Sequence, residues 1–161
     1  METAYLSLGS NLGDRELNLL RAVAEIGRIA GLKITALSRF YETDPVGPIP
    51  QDPFLNAAMK VETTLSPEQM LKALQRIETE TFQRRRQVAW GPRTMDIDIL
   101  FFGDRTVADE KLVIPHPRLH QRRFVLAPLA EIAPELVHPL FRQTVAELLA
   151  TLGDGQGVRP L

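Results

Sequence analysis

The chain contains no cysteine. Disulfides and thiolate metal sites are therefore excluded, and a reducing, cytoplasmic setting is the expected one. No apolar run approaches the ~20 residues that a bilayer-spanning helix needs. The opening Met1-Glu2-Thr3-Ala4-Tyr5 lacks the basic flank and apolar stretch of a signal peptide. Neither sign of charge dominates: nineteen Lys and Arg stand against twenty Asp and Glu, a net −1, so nothing general points to nucleic acid or a membrane as partner. What is present is 161 residues, 44% of them hydrophobic. That is enough for one domain, residues 1–161, with a proper core and no internal repeat.

The charge is even in total but not in distribution. Ten of the nineteen cations fall between Arg76 and Arg123, including the run Arg84-Arg85-Arg86. On its own such a run is a solvated helix end favoured by the helix dipole. Beside carboxylates, the same cations suit a polyphosphate held by both metal and arginine.

Taken in order, Ala4–Leu8 reads as a strand and Gly9-Ser10-Asn11-Leu12-Gly13 as a turn. Its glycine spacing matches neither common phosphate-loop pattern and is read as structural. Asp14 is a helix N-cap, and a helix is expected over Arg15–Ala30 with Leu17, Leu20, Val23, Ala24 and Gly27 on its stripe. A strand is expected over Leu32–Thr43. Asp44–Pro53, with four prolines and a glycine in ten residues, excludes regular structure and suits the wall or lid of a site. A third strand covers Phe54–Thr64. Ser66-Pro67-Glu68-Gln69 starts a helix running to about Phe82. After the fourth strand come a small hairpin or extended arm over Arg105–Ile114, a helix over Phe124–Ile132 and a last helix from Thr144 to about Leu152, with 153–161 a loose tail. The order β-α-β-β-α-β predicts an α+β, ferredoxin-like antiparallel sheet with helices packed on it and a C-terminal helical extension.

The chemistry concentrates in Trp90-Gly91-Pro92-Arg93-Thr94-Met95-Asp96-Ile97-Asp98-Ile99-Leu100-Phe101-Phe102. Alternation puts Asp96, Asp98, Leu100 and Phe102 on one face of a strand and Met95, Ile97, Ile99 and Phe101 on the other. The aspartate Cα atoms then lie roughly 6.5–7 Å apart. A bare Asp-x-Asp more often lines a solvated edge. Here the pair ends an otherwise apolar face, as at the mouth of a pocket, and one or two Mg²⁺ ions with phosphate oxygens suit it. Arg93 reaches a phosphate or an aspartate, and the Trp90 indole is available to stack on a ring. Asn56 has the donor and acceptor to read the edge of a planar heterocycle. His116 suits a phosphate or ribose contact. His116 and His120 are four apart, but Pro117 argues against a zinc-binding helix.

Arg93-x-x-Asp96-Ile97-Asp98-Ile99-Leu100 preceded by Trp90-Gly91-Pro92 resembles the signature of the 6-hydroxymethyl-7,8-dihydropterin pyrophosphokinases of the folate pathway. The likeness extends to the Gly-Ser-Asn turn, Phe40-Tyr41-x-Thr43-x-Pro45-x-Gly47, Phe54-Leu55-Asn56-Ala57, Gln75-Arg76-Ile77-Glu78, Ile114-Pro115-His116-Pro117, Arg122-x-Phe124 and Glu131-Ile132-Ala133-Pro134. It implies transfer of pyrophosphate from ATP to the hydroxymethyl group of a reduced pterin, with release of AMP. It implies two Mg²⁺ ions on Asp96 and Asp98, bound with ATP. The pterin would lie between Phe54 and Phe124, with Asn56, Thr43, Pro45, Val46, Trp90 and Asp96 around it. Gln75, Glu78, Arg85, Trp90, Arg93, Ile99, Lys111, His116 and Arg122 would line the nucleotide. Arg85, Arg93, Asp96 and Asp98 would serve catalysis, in an expected monomer. The family often carries Gly-Arg-x-Arg after the second helix, where this chain has Phe82-Gln83-Arg84-Arg85-Arg86. Two rivals fit less well. An RNA-recognition module of the same strand order needs aromatics in an RNP-type motif, and the central strands offer none. A non-catalytic ligand-binding module leaves the aspartate pair and arginine cluster unused.

Overall fold

The computed structural model describes residues 1–45, 47, 49–82, 94–153 and 157–161. In order the elements are β1 (Glu2–Ser10), α1 (Arg15–Gly27), β2 (Leu32–Leu37), β3 (Tyr41–Thr43), β4 (Phe54–Thr63), α2 (Pro67–Arg76), β5 (Asp96–Phe102), β6 (Val107–Ala108), β7 (Val113–Ile114), α3 (Arg123–Ile132), α4 (Val145–Leu152) and β8 (Val158–Pro160). The main sheet runs β5-β1-β4-β3-β8, with β2 also on β4, and every pairing in it is antiparallel. β6 and β7 pair as a small hairpin, one of the two forms expected there.

Helix starts follow the capping chemistry of the sequence. Asp14 accepts the Leu17 N–H, and Ser66 with Gln69 and Thr144 with Glu147 close capping boxes. α2 continues as a single π-helical stretch, Ile77–Thr81, which carries Glu78. α1 is shorter than expected and turned by one residue. It buries Asn18, Leu19, Ala22 and Ile26, while Leu17 and Leu20 are exposed. The anchor is Asn18, whose amide donates to Leu12 O at 2.8 Å and Ser10 Oγ at 3.2 Å, fixing which face meets the sheet.

The sheet is covered on both faces. Ala4, Leu6, Leu8, Leu55, Met59, Val61, Ile97 and Ile99 pack with Leu19, Ala22 and Ile26 of α1 and Met70 and Leu74 of α2. Tyr5, Ala58, Leu100 and Phe101 pack on the other face with Val125, Leu126 and Leu129 of α3 and Val145 and Leu148 of α4. Three expectations are corrected. First, the alternation in β5 breaks. Tyr5 pairs with Phe101 but Leu6 with Ile99, so Leu100 is an extra residue. This bulge turns Phe101 to the α3 side and Phe102 to the α1 side, the reverse of strict alternation. Second, Leu32–Thr43 is two strands. Ser38 Oγ accepts the Ala58 N–H at 2.9 Å, replacing a ladder carbonyl, and Glu131 of α3 takes the Arg39 N–H at 3.0 Å and the Tyr41 hydroxyl at 2.6 Å. That carboxylate, after burial itself, pushes the Tyr41 pKa up to about 12. Third, the tail is not wholly loose. Val158–Pro160 pairs with β3, whose outer edge would otherwise be open.

His138 is buried under the second core. Its ring stacks on Phe141 with centroids 4.1 Å apart and meets Phe101 edge-on at 5.6 Å. Nδ1 accepts the N–H groups of Leu140 at 3.2 Å and Phe141 at 3.1 Å, so the ring is neutral with its proton on Nε2. Burial, and then His120 nearby, lower its pKa. The unfolded chain takes up this proton first on acidification. The stability contributed is whole above the ordinary histidine value of 6.5 and is lost as pH falls through the lower folded value. The denaturation midpoint is expected to drop between about pH 7.5 and about pH 5.5, and His138→Asn, which keeps an acceptor, to lose part of that drop. Identical slopes for the two proteins would contradict a neutral, buried imidazole.

Candidate active site

One row of residues crosses the α3-facing side of the sheet. Asn56 on β4 pairs with Gly9 on β1, and Gly9 pairs with Asp96 on β5. One step along, Ala58, Ser7 and Asp98 form the next row. α3 and α4 cover the Tyr5–Phe101 end of this face, and both aspartates, at the other end, are partly exposed. β1 is longer than the sequence reading allowed, so Gly9 and Ser10 are strand residues rather than a turn.

β5 is an edge strand, and its outward groups are claimed by the site. The Ile97 N–H, between the two aspartates, donates to the buried Glu78 carboxylate at 2.9 Å. Further along, Leu100 O accepts the His116 N–H at 3.0 Å, which brings the 114–118 loop against the strand. His116 Nδ1 accepts the Arg118 N–H at 3.2 Å, leaving the ring proton for Nε2. Burial first, then Arg122 and Arg118, take its pKa down to about 4, against the opposing pull of Asp96. The imidazole is therefore a neutral donor at pH 7. Arg122 lies over the Phe124 ring, 5.6 Å from its centroid. Burial lowers its pKa too, while Asp98, and more weakly Asp96, support the cation. Two carboxylates, two guanidiniums and a neutral imidazole thus share one end of the face.

On the β4 side, the buried Thr43 hydroxyl donates to Asn56 Oδ1 at 2.7 Å. Phe54, opposite Thr43 in the ladder, is partly buried. Only Gly permits this packing at position 9. A Cβ there would stand 2.6 Å from Asn56 Nδ2 and 3.8 Å from the Phe54 ring.

Of the residues singled out in the sequence, Thr43, Phe54, Asn56, Glu78, Asp96, Asp98, His116, Arg122 and Phe124 gather here. Pro45, half-buried, follows Thr43. Gln75 on α2 and Lys111 on the hairpin are exposed. The Ile99 side chain is buried in the α1–α2 core, so only its backbone is available to a ligand. Val46, Arg85, Trp90 and Arg93 lie outside the described residues. His120 lies near the second core rather than in the aspartate cluster. It packs edge-on against Phe141 at 4.7 Å. Among the described residues, no three His, Asp or Glu side chains form a metal cluster. Sequence reasoning missed Gly9 and Arg118. Arg118 stands two residues after His116, among the cations between Arg76 and Arg123, and Gly9 reads as a turn residue in the sequence.

Gly9→Ala is expected to push Asn56 away and break its bond to Thr43. Overpacking of this kind costs about 1–3 kcal/mol, read as a lowered denaturation midpoint. A variant as stable as the wild type would mean that the Asn56 amide moves aside freely.

The family model described as 7,8-dihydro-6-hydroxymethylpterin-pyrophosphokinase (HPPK) matches residues 5–134. The chain is 46% identical over 156 residues to the 2-amino-4-hydroxy-6-hydroxymethyldihydropteridine pyrophosphokinase of Bacillus subtilis (strain 168), covering 97% of this chain and 88% of that one. It is 45% identical over 158 residues to the like-named protein of Methylorubrum extorquens, covering 98% of both. A crystal structure of Plasmodium falciparum HPPK-DHPS superposes with a TM-score of 0.71 at 19% identity, over 94% of this chain and 43% of that longer one. That likeness speaks to the fold alone, and this chain spans less than half of the longer protein. On the extent of the family match and the identity to whole-length relatives, the chain belongs to the 7,8-dihydro-6-hydroxymethylpterin-pyrophosphokinase family.

Proposed function

We propose that the protein transfers the pyrophosphoryl group of ATP to the hydroxymethyl group of 6-hydroxymethyl-7,8-dihydropterin, forming the pterin diphosphate and AMP in folate biosynthesis. The observation that carries this reading is the row Asn56–Gly9–Asp96. It sets a hydrogen-bonding amide suited to a heterocycle beside a carboxylate pair flanked by Arg122 and His116. Family membership supports this chemistry for the chain. The alcohol oxygen attacks the β-phosphorus, the bond from that phosphorus to the α,β-bridging oxygen breaks, AMP leaves, and the alcohol proton is released. An in-line displacement of this kind needs alignment and charge neutralisation more than covalent help.

The chain's own groups divide that work. On the pterin side, Asn56 reads the ring edge with Thr43, Pro45 and Val46. Phe54 and Phe124 flank the ring, and Trp90 is assigned a stacking role. On the nucleotide side, His116 donates from Nε2 and Arg122 offers a charged fork to phosphate oxygens. Gln75, Glu78, Trp90, Arg93, Ile99 and Lys111 complete that wall in this reading. Glu78 also holds the Ile97 N–H, and with it the strand that presents both aspartates. Asp96 and Asp98 fit Mg²⁺, since both offer hard oxygen donors on one face of an edge strand and are partly exposed. Two such ions, held by Asp96 and Asp98, would supply neutralisation of the phosphate charge. Arg85 and Arg93 act on the charge that moves during transfer. The strand order β5-β1-β4-β2 suits a ferredoxin-like unit with α3 and α4 as its C-terminal extension. We read residues 1–161 as one such domain, monomeric and cytoplasmic. Among the described residues, no helix is long and apolar enough to cross a membrane.

The test is AMP formation from ATP and Mg²⁺ with and without the reduced pterin. Release that is independent of the pterin would sink the assignment. Asp96→Ala and Asp98→Ala are each expected to abolish turnover while the thermal melt stays near wild type. Near-normal turnover in either would remove the metal role. Arg85→Ala is expected to lower kcat and kcat/KM together by about 10²–10³, as for the loss of one transition-state donor. If Arg84→Ala, Arg85→Ala and Arg86→Ala all stay within about threefold in kcat, well short of the tenfold that 1.36 kcal/mol represents, the run has no part in the transfer.

A further inference from the structure

The C-terminal strand has no part in the reading above, yet it is built onto the pterin side of the site. β3 has only three residues, too few to hold position when paired on one edge. β8 pairs with it residue for residue: Tyr41 with Pro160, Glu42 with Arg159 and Thr43 with Val158. Backbone bonds bracket the ladder, Leu161 N–H to Phe40 O and Asp44 N–H to Gly157 O, both at 2.9 Å. Gly157 lies so close under the Asp44 carboxylate that a Cβ there would collide with it. Pro160, with no N–H, suits the outermost strand of the sheet.

A chain of charges reinforces this ladder. Arg159 Nη2 donates to Glu42 Oε1 at 3.0 Å, and Nη1 donates to Asp44 Oδ1 at 3.2 Å. The other Glu42 oxygen meets Arg15 Nη2 at 3.0 Å, and Arg15 Nη1 donates to Pro53 O at 3.1 Å. The network therefore ties the start of the 44–53 loop, its last residue and the N-terminus of α1 to the C-terminal strand. Glu42 and Arg159 point away from the face that carries Thr43 and Asn56, so Arg159 does not touch a ligand lying there. Its bonds run to Glu42 and Asp44, the residues on either side of Thr43, whose hydroxyl donates to Asn56 Oδ1. The aspartate pair, His116 and Arg122 belong to β5 and the loops against it, with β1 and β4 between them and β3.

We propose that β8, acting through Arg159, positions the pterin-recognising Thr43–Asn56 pair, so that the C-terminal strand sets affinity for the pterin without setting affinity for ATP. This rests on the reading that the pterin lies against Thr43 and Asn56. Each exposed ion pair is individually weak and screened by salt. The effect comes from the linked set acting on a strand too short to hold itself.

The experiment is steady-state kinetics of AMP formation with 6-hydroxymethyl-7,8-dihydropterin and MgATP, plus thermal melts, for wild type, Arg159→Ala, Arg159→Lys, Glu42→Gln, the double variant Arg159→Ala/Glu42→Gln, and Asn56→Ala. Arg159→Ala is expected to raise the pterin KM about three- to tenfold, with kcat at saturation and the ATP KM near wild type. Arg159→Lys, which keeps the charge but not the fork, restores part of the loss. The double variant is expected to be no worse than the larger single effect, and raising the salt to move the wild-type pterin KM towards that of Arg159→Ala. An unchanged pterin KM in Arg159→Ala overturns the proposal. So does a parallel rise of the ATP KM with a lowered melting point, which marks general loosening. Absence of pterin-dependent AMP from the wild type overturns the activity itself, and this proposal with it. An Asn56→Ala variant with normal pterin KM overturns the placement of the pterin, and with it the role of β8, while leaving the activity standing.

Discussion

Strand β1 is hydrogen-bonded on both sides, and its register against β4 and β5 sets Gly9 between Asn56 and Asp96. The candidate site residues on the described face are placed relative to that row. Antiparallel pairing turns side chains at paired positions to the same side, so a slip of one residue in either ladder would send Asn56 or both aspartates into the α1–α2 core. The hydrophobic set Ala4, Leu6 and Leu8 forbids the slip, because it would carry those residues out of that core. The register that buries the core is thus the register that assembles the site.

A local irregularity extends that arrangement. The extra residue at Leu100 allows three successive side chains, Leu100, Phe101 and Phe102, to be fully buried, two on one face and one on the other. The phenylalanines anchor β5 from both sides just beyond the aspartates. Glu78 on the Ile97 N–H and His116 on Leu100 O give this edge strand partners on its outer side as well. Both carboxylates lie on this stretch of β5, one on each side of the Ile97 N–H that Glu78 holds.

Electrostatics sorts the remaining groups. Arg118 and Arg122 help keep His116 neutral, so it can offer a proton without adding positive charge. Asp98 and Asp96 in turn support the charge on half-buried Arg122. At the opposite end of the sheet, Arg159 and Arg15 hold the Glu42 carboxylate below its usual range. The same kinds of residue stand in two settings: beside the aspartates they offset carboxylate charge, and beside Glu42 they tie β3 to β8 and to the start of α1.

The sequence by itself determined the elements whose signals are local. Capping boxes at Ser66 and Thr144 and the N-cap at Asp14 mark helix starts, because a cap is satisfied within four residues of itself. Alternation around Asp96 and Asp98 put both carboxylates on one face, and the motif likeness pointed to the family before any contact was known. Long-range pairing decided the rest. The break at Ser38 depends on Ala58, the bulge at Leu100 on Tyr5 and Leu6, the turn of α1 on what Asn18 meets, and the order at Val158–Pro160 on an open edge of β3. Gly9 looked like a turn residue because its neighbours do. Only the packed sheet, with Asn56 pressed 2.6 Å from where a Cβ would be, makes it part of the site. Local sequence carries the dihedral preferences of a few residues; which strand lies alongside, and in what register, comes from burying two cores at once.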